Sequence, residues 1–257
     1  MNIFHRGISF LHYLWRAKTI YYIHSPFVYT FYKTILSHQH IDNTKSLATI
    51  RKSLANDHTL LNIKDFGTGF NHQKTLSSLN SKVAIRPKYG QVLYELVTHF
   101  QPKNIIEIGT SIGISSSYLA LGNPSAIKYC LEGSEAPLDF AKNLHHNLGL
   151  KSMKYKLGNF SEILPALLET LNYVDFVFFD GNHTKEATLE YFEWCVAKAR
   201  PESIFVFDDI YWSKEMTDAW ETIKADKRVV LTIDIYQLGL CFFKIDKLAK
   251  ENFVLLY

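Results

Sequence analysis

The 257 residues, 47% of them hydrophobic and 21% charged, are those of an ordinary globular chain: enough for one large α/β domain, or one domain with a small cap. A net charge of +3 without a dense Lys/Arg block argues against a nucleic-acid-binding tail. Cys130, Cys195 and Cys241 are widely spaced and odd in number, and read as buried free thiols in a reducing compartment rather than a disulfide frame or zinc site.

No apolar run approaches the roughly 18 residues of a spanning helix. The aromatic N-terminus is interrupted by His5, Arg6, His12, Arg16 and Lys18 and lacks a small-residue cleavage site, so the expected location is cytoplasmic. Residues 1–84 read as helices joined by polar connectors. Ser25 followed by Pro26 predicts a helix start, with the hydroxyl as N-cap. Phe27, Phe31 and Ile35 then fall at helical spacing and predict a packing face. A second helix is expected over Ser46 to Ala55. The Asp65-Phe66-Gly67-Thr68-Gly69-Phe70 stretch is a turn with no strand leading into it, which makes it a weak phosphate site.

From about residue 85 the pattern becomes strand–helix alternation. Helices are expected at 89–100, 115–121, 136–148, 161–171 and 185–199. Strands are expected at 104–108, 126–132, 153–157, 174–179 and 203–207. The continuous apolar runs of the last two strands are those of parallel strands covered on both faces. Two further strands, 228–235 and 240–245, are joined near Gly239 as a hairpin. These repeats predict a doubly wound, Rossmann-like parallel sheet of seven strands, one of them antiparallel, over residues 85–257, with an N-terminal helical region over residues 1–84.

Ligands of such sheets bind at the carboxyl ends of the strands, and polar residues collect there. The 104–108 strand runs through Glu107 into Gly109-Thr110-Ser111, with Gly113 and Ser115 following. The glycines leave room for a ligand and the hydroxyls lie beside a helix N-terminus. A dinucleotide fingerprint would need glycines at Ser111 and Ile114, so a nicotinamide oxidoreductase is disfavoured. Glu132-Gly133 ends the next strand, where a carboxylate can accept two ribose hydroxyls. Asn159 and Phe160 could bond to and stack on an adenine. Asp180 and the Asp208-Asp209 pair end the two apolar strands; together they could hold Mg²⁺, while Asp180 could equally contact a cofactor amino group. His183 lies three residues beyond Asp180 and can take a proton from a hydroxyl. Tyr211 and Trp212 could wall a substrate pocket or pack in the core.

Glu107-x-Gly109-x-x-x-Gly113 resembles motif I of the class I S-adenosylmethionine (SAM)-dependent methyltransferases, a resemblance spanning about residues 85–245. Pro87-Lys88-Tyr89-Gly90-Gln91, with Phe179-Asp180 and Phe207-Asp208-Asp209-Ile210-Tyr211-Trp212, resembles the cation-dependent O-methyltransferases of catechol and caffeoyl-CoA type. Asp180-Gly181-Asn182-His183 is closer to macrocin-type relatives, in which the matching histidine is the proposed base and matching aspartates bind Mg²⁺. Catechol-type enzymes carry Asp-Asn where this chain has Asp208-Asp209, and a lysine near the position of His183. A Pro-Gly-Gly turn is usual where this chain has Arg200-Pro201-Glu202-Ser203. His24-Ser25-Pro26-Phe27 and its surroundings resemble the accessory region of bacterial methyltransferase homologues. The resemblance implies SAM as cofactor, with Mg²⁺ as a candidate second. It also implies methylation of a hydroxyl on a small-molecule acceptor, with His183 and Asp180 as catalytic candidates. The competing readings are a metal-independent enzyme acting on RNA or protein, and a non-catalytic SAM-binding protein. The aromatic N-terminal region is the candidate face for a homodimer.

Overall fold

The computed structural model describes residues 3–37, 41–64, 72–243 and 249–257. The Asp65-to-Phe70 turn and the expected hairpin end at Ile245 lie outside the described residues. By its contacts the chain divides into two compact units, Met1–Leu36 with Leu168–Tyr257, and Ser37–Leu167.

The first unit begins with α1 (Ile3–Arg16) and α2 (Pro26–Phe31), the latter continued by a π-helical turn over Tyr32–Leu36. Pro26 takes the first helical position as expected, but Ser25 Oγ makes no capping bond and is buried without a partner. Pro26 has no N–H to satisfy, and its fixed φ starts the helix without the hydroxyl. The Phe27 and Phe31 rings meet Phe242 edge-on at 5.4 and 6.0 Å, so the aromatic stripe is a packing face.

The second unit opens with α3 (Lys45–Leu54), then a small antiparallel hairpin of β1 (Leu60–Ile63) and β2 (His72–Thr75), and the single turn α4 (Leu76–Ser78). The hairpin was not expected, because His72-Gln73-Lys74-Thr75 has no apolar alternation to announce a strand. The Arg51 guanidinium on α3 donates to the carbonyls of Asn80 and Ile85, both at 2.9 Å, fastening the approach to α5 (Pro87–Phe100). Gly90 on α5 is where Tyr118 packs: a Cβ there would lie 2.4 Å from the ring. Then follow β3 (Asn104–Ile108), α6 (Ile114–Gly122), β4 (Ile127–Glu132), α7 (Glu135–Asn147), β5 (Met153–Leu157) and α8 (Phe160–Glu169). β4 pairs in parallel with both β3 and β5, and α6 and α7 are the crossovers.

The first unit resumes with β6 (Val174–Phe179), α9 (Lys185–Val196), β7 (Ala199–Phe207), α10 (Lys214–Ala225), β8 (Leu231–Asp234), β9 (Gly239–Phe242) and β10 (Glu251–Val254). Its strands run in the order β10-β8-β9-β7-β6, with β9 antiparallel to both neighbours. Every residue of β6 is buried, as its apolar run predicts. The mixed sheet numbers eight strands rather than seven. The addition is β10, a short and partly polar edge strand parallel to β8. Arg200-Pro201-Glu202-Ser203 forms an irregularity in β7, between its pairings of Ala199 with Val174 and of Ile204 with Phe176. Pro201 is tolerated in such a bulge because no ladder N–H is needed there. Arg200 pairs with Asp175 and stacks on Tyr173 at 3.8 Å, which accounts for an arginine in place of the usual turn residues. Among the described residues no helix is long and apolar enough to cross a membrane.

Candidate active site

In the second unit, the carboxyl ends of β3, β4 and β5 carry the expected cofactor residues. After β3 the chain turns through Gly109 at φ +97°, Ser111 at φ +48° and Gly113 at φ +81°. A serine in the left-handed region is uncommon and is held there by its surroundings. Its reward is local: the Ser111 N–H donates to Glu132 Oε2 at 2.7 Å, while Ser134 N–H donates to Oε1 at 2.9 Å. Burial raises the Glu132 pKa, opposed by N–H bonds from Ser111, Ser134 and Gly133.

Glu107 is buried deeper. Burial pushes its pKa to about 7 against the hydroxyls of Ser115, Thr110 and Ser116. Thr110 Oγ1 donates to Oε2 at 2.9 Å, and Oε1 has no hydrogen-bond partner. Thr110, expected as a ligand contact, also bonds to this buried carboxyl. Asn159 Oδ1 accepts from the Ser161 N–H at 3.2 Å at the start of α8, leaving its amide group available, and Phe160 is half-buried beside it.

Gly113 also lies tightly against a neighbouring helix. A Cβ there would lie 2.7 Å from His145 Nε2 and 2.8 Å from the Ala141 side chain, so this glycine lets α6 start directly against α7. His145, which sequence reasoning passed over, contacts the Gly113 carbonyl at 3.0 Å, Ser116 Oγ at 3.1 Å and the Tyr155 hydroxyl at 2.9 Å. Its burial lowers the pKa to about 4, so the ring is neutral at ordinary pH. The available signal was its place on the buried face of α7, one turn beyond Ala141. Gly113→Ala combines left-handed strain with overpacking and should cost about 2–4 kcal/mol, measured by urea unfolding. Ser134, also missed, accepts from the Lys64 N–H at 2.9 Å, tying the β1–β2 hairpin to the loop after Glu132.

In the first unit, the ends of β6 and β7 bring the acidic residues together. The Phe179 and Phe207 rings stack at 4.3 Å, and the Asp208 N–H donates to the Phe179 carbonyl at 2.9 Å. Asp180 and Asp208 therefore leave adjacent strands side by side, and their carboxyl groups are hydrogen-bonded to each other. Such a bond requires one shared proton. Gln237 Nε2 also donates to Asp208 Oδ1, at 3.1 Å. Burial, and then the charge of Asp209, push the Asp208 pKa to about 8. Asp209 stands in the left-handed region at φ +53°, as does Asn182 in the Asp180–His183 loop. Among the described residues no three His, Cys, Asp or Glu side chains form a metal-ready group. Asp180 and Asp208 are thus gathered, and Asp209 does not complete a three-carboxylate cage with them.

His183 Nε2 lies 3.6 Å from Asp180 Oδ1, too far for a hydrogen bond but close enough for charge to matter, and the imidazole is 28% exposed. Burial lowers the His183 pKa below 6.5, opposed by Asp209. The Tyr211 hydroxyl donates to buried Asp234, which places this tyrosine in the core. Trp212 is half-buried, with the Arg6 guanidinium 4.7 Å from its ring.

The Asp208 carboxyl makes stability depend on pH. Its folded pKa is raised from 3.8 to about 8, so its stabilising contribution is complete below pH 4 and is lost as pH rises through 8. Asp208→Asn should therefore gain stability relative to the parent on going from pH 5 to pH 8.5, on the order of a few kcal/mol, read from denaturant midpoints in chelator.

A family model described as a methyltransferase domain matches residues 106–210. The chain is 28% identical over 160 residues to a catechol O-methyltransferase of Niastella koreensis, covering 58% of this chain and 72% of that protein. Among solved structures it is similar to the O-methyltransferase TomG of Streptomyces achromogenes, involved in tomaymycin synthesis and in complex with SAM. That match has TM-score 0.57 and 21% identity, and covers 64% of this chain and 83% of the other. An O-methyltransferase of Bacillus cereus in complex with S-adenosylhomocysteine (SAH) matches at TM-score 0.56 and 21% identity, covering 78% and 90%. At these identities the structural likeness shows a shared fold.

Proposed function

We propose that the chain is a class I SAM-dependent O-methyltransferase that methylates a hydroxyl of a small molecule, with His183 as the base. The observation that carries this reading is the half-buried His183, 3.6 Å from Asp180 and kept below its ordinary pKa. A neutral imidazole there can accept the proton of an acceptor hydroxyl, and the net negative charge of the Asp180–Asp208 pair would stabilise the imidazolium that forms.

When bound, SAM supplies a methyl already activated by its sulfonium. The protein's share is alignment. Glu132 would accept the ribose hydroxyls at the end of β4. Glu107 Oε1, buried without a partner, would accept from the ammonium group. The turn Gly109-Thr110-Ser111, with Gly113, Ser115 and Gly133, shapes the floor, and Asn159 and Phe160 take the adenine. The donor set suits Mg²⁺ in a reduced form: Asp180 and Asp208 as ligands with water and substrate oxygens completing the shell, and Asp209 acting through charge. There the cation would replace the proton that the two carboxyls now share. Residues 1–84 are read as an accessory region to this domain.

The test is SAH formation from SAM with catechols and other phenols, in chelator and in Mg²⁺. We expect acceptor-dependent turnover that falls at least about tenfold in chelator and returns with Mg²⁺. Chelator-insensitive turnover would remove the metal from this reading. Turnover with RNA or protein acceptors alone would overturn the small-molecule assignment.

A further inference from the structure

Between α1 and α2 the chain crosses the edge of the sheet. The Lys18 N–H donates to the Val254 carbonyl at 2.8 Å and the Leu256 N–H to the Lys18 carbonyl at 3.0 Å, so the crossing pairs in parallel with the end of β10. Beside that seam lies an open groove of about 370 Å³, lined by residues of the crossing and of β10. Tyr22, Pro26 and Phe253 give it ring and hydrocarbon walls. Its size is at the small end of the range for ligand sites.

Two residues of this groove carry a buried polar atom without a partner. Ser25 is 6% exposed and its Oγ bonds to nothing, because Pro26 starts α2 without it. Glu251 Oε2 is likewise buried and bonds to nothing. A bare buried group bears its full desolvation cost, and a carboxylate oxygen bears more than a hydroxyl. Two such groups on one groove, neither of them bonded to the fold, are what a polar ligand would satisfy.

The charges around the groove select the ligand. A buried carboxylate oxygen calls for a strong donor, best an ammonium, and the Ser25 hydroxyl can accept a further N–H. Lys18 lines the same groove without forming an ion pair with Glu251, so a cation and an anion stand apart in one space. A purely cationic ligand would meet Lys18, and a purely anionic one would be repelled by Glu251. A zwitterion answers both charges, and an apolar side chain suits the walls.

We propose that this groove binds a free amino acid with an apolar side chain, its ammonium on Glu251 and Ser25 and its carboxylate toward Lys18. The groove shares no residue with the turn after β3 or with the Asp180–Asp208 pair, so it is a second site and does not depend on the methyl-transfer reading.

The test is calorimetric titration of the full chain with L-leucine and L-phenylalanine, beside phenethylamine and phenylpropionate, which each lack one charge. Saturable one-to-one binding of at least one amino acid is expected, at least about tenfold tighter than either single-charge analogue and unchanged by saturating SAH. Glu251→Gln should weaken it at least about tenfold and Ser25→Ala about threefold. Lys18→Gln should weaken the amino acid but not phenethylamine. Since the Ser25 hydroxyl and Glu251 Oε2 have no partner in the free protein, Ser25→Ala and Glu251→Gln should unfold at or above the parent's temperature and bind SAH as the parent does. No binding of either amino acid at millimolar concentration, equal binding of phenethylamine, or undiminished binding by Glu251→Gln would overturn the proposal. So would displacement of the amino acid by SAH, or a lower unfolding temperature for both variants, which would make the two groups structural.

Discussion

His183→Ala is expected to lower the turnover of methyl transfer by about 10²–10⁴-fold, the usual range for a lost general base, while leaving SAH affinity unchanged. The imidazole stands on the loop after β6, kept neutral by burial and 3.6 Å from Asp180. It is thus available to receive a proton and has a carboxylate near enough to steady the charge that follows. A base predicts a rate that falls as pH drops through the depressed pKa, and His183→Ala should flatten that limb. A purely structural histidine would instead lose SAH affinity or thermal stability with the same change. That outcome would remove His183 from the chemistry.

Glu132→Ala should weaken SAM and SAH about 100-fold, on the reasoning that two hydrogen bonds to a buried carboxylate are lost at once. The carboxylate also holds the N–H groups of Ser111 and Ser134, so the alanine variant loosens the turn as well as removing an acceptor. Glu132→Gln separates these effects. It keeps the shape and one acceptor oxygen, and its affinity should fall between parent and alanine variant. Equal affinities for all three would mean that the ribose lies elsewhere.

The legible parts of the fold were those where one physical rule acts alone. Asn104–Ile108, Met153–Leu157 and Val174–Phe179 match their expected bounds, because short strand-forming runs flanked by turn residues or helices announce strands directly. The β1–β2 hairpin and β10 were not legible, since their strands are partly polar and are specified by what they pair with. The expected site residues are indeed at strand ends, but what each one touches depends on packing. Gly113 lies against His145 and Ala141, Thr110 bonds to Glu107, and Tyr211 bonds to Asp234. None of these partners lies at a spacing that periodicity can report. That Asp180 and Asp208 leave neighbouring strands side by side follows from the register of β6 on β7, which cannot be read before the strands are aligned.

All of this rests on the turn after β3 and its partner Glu132 holding the nucleoside of SAM. Calorimetric titration of the full chain with SAH tests that most directly, since it needs no knowledge of the acceptor. Saturable one-to-one binding, weakened by Glu132→Ala and untouched by His183→Ala, is the predicted result. An absence of binding, with and without Mg²⁺, would contradict it.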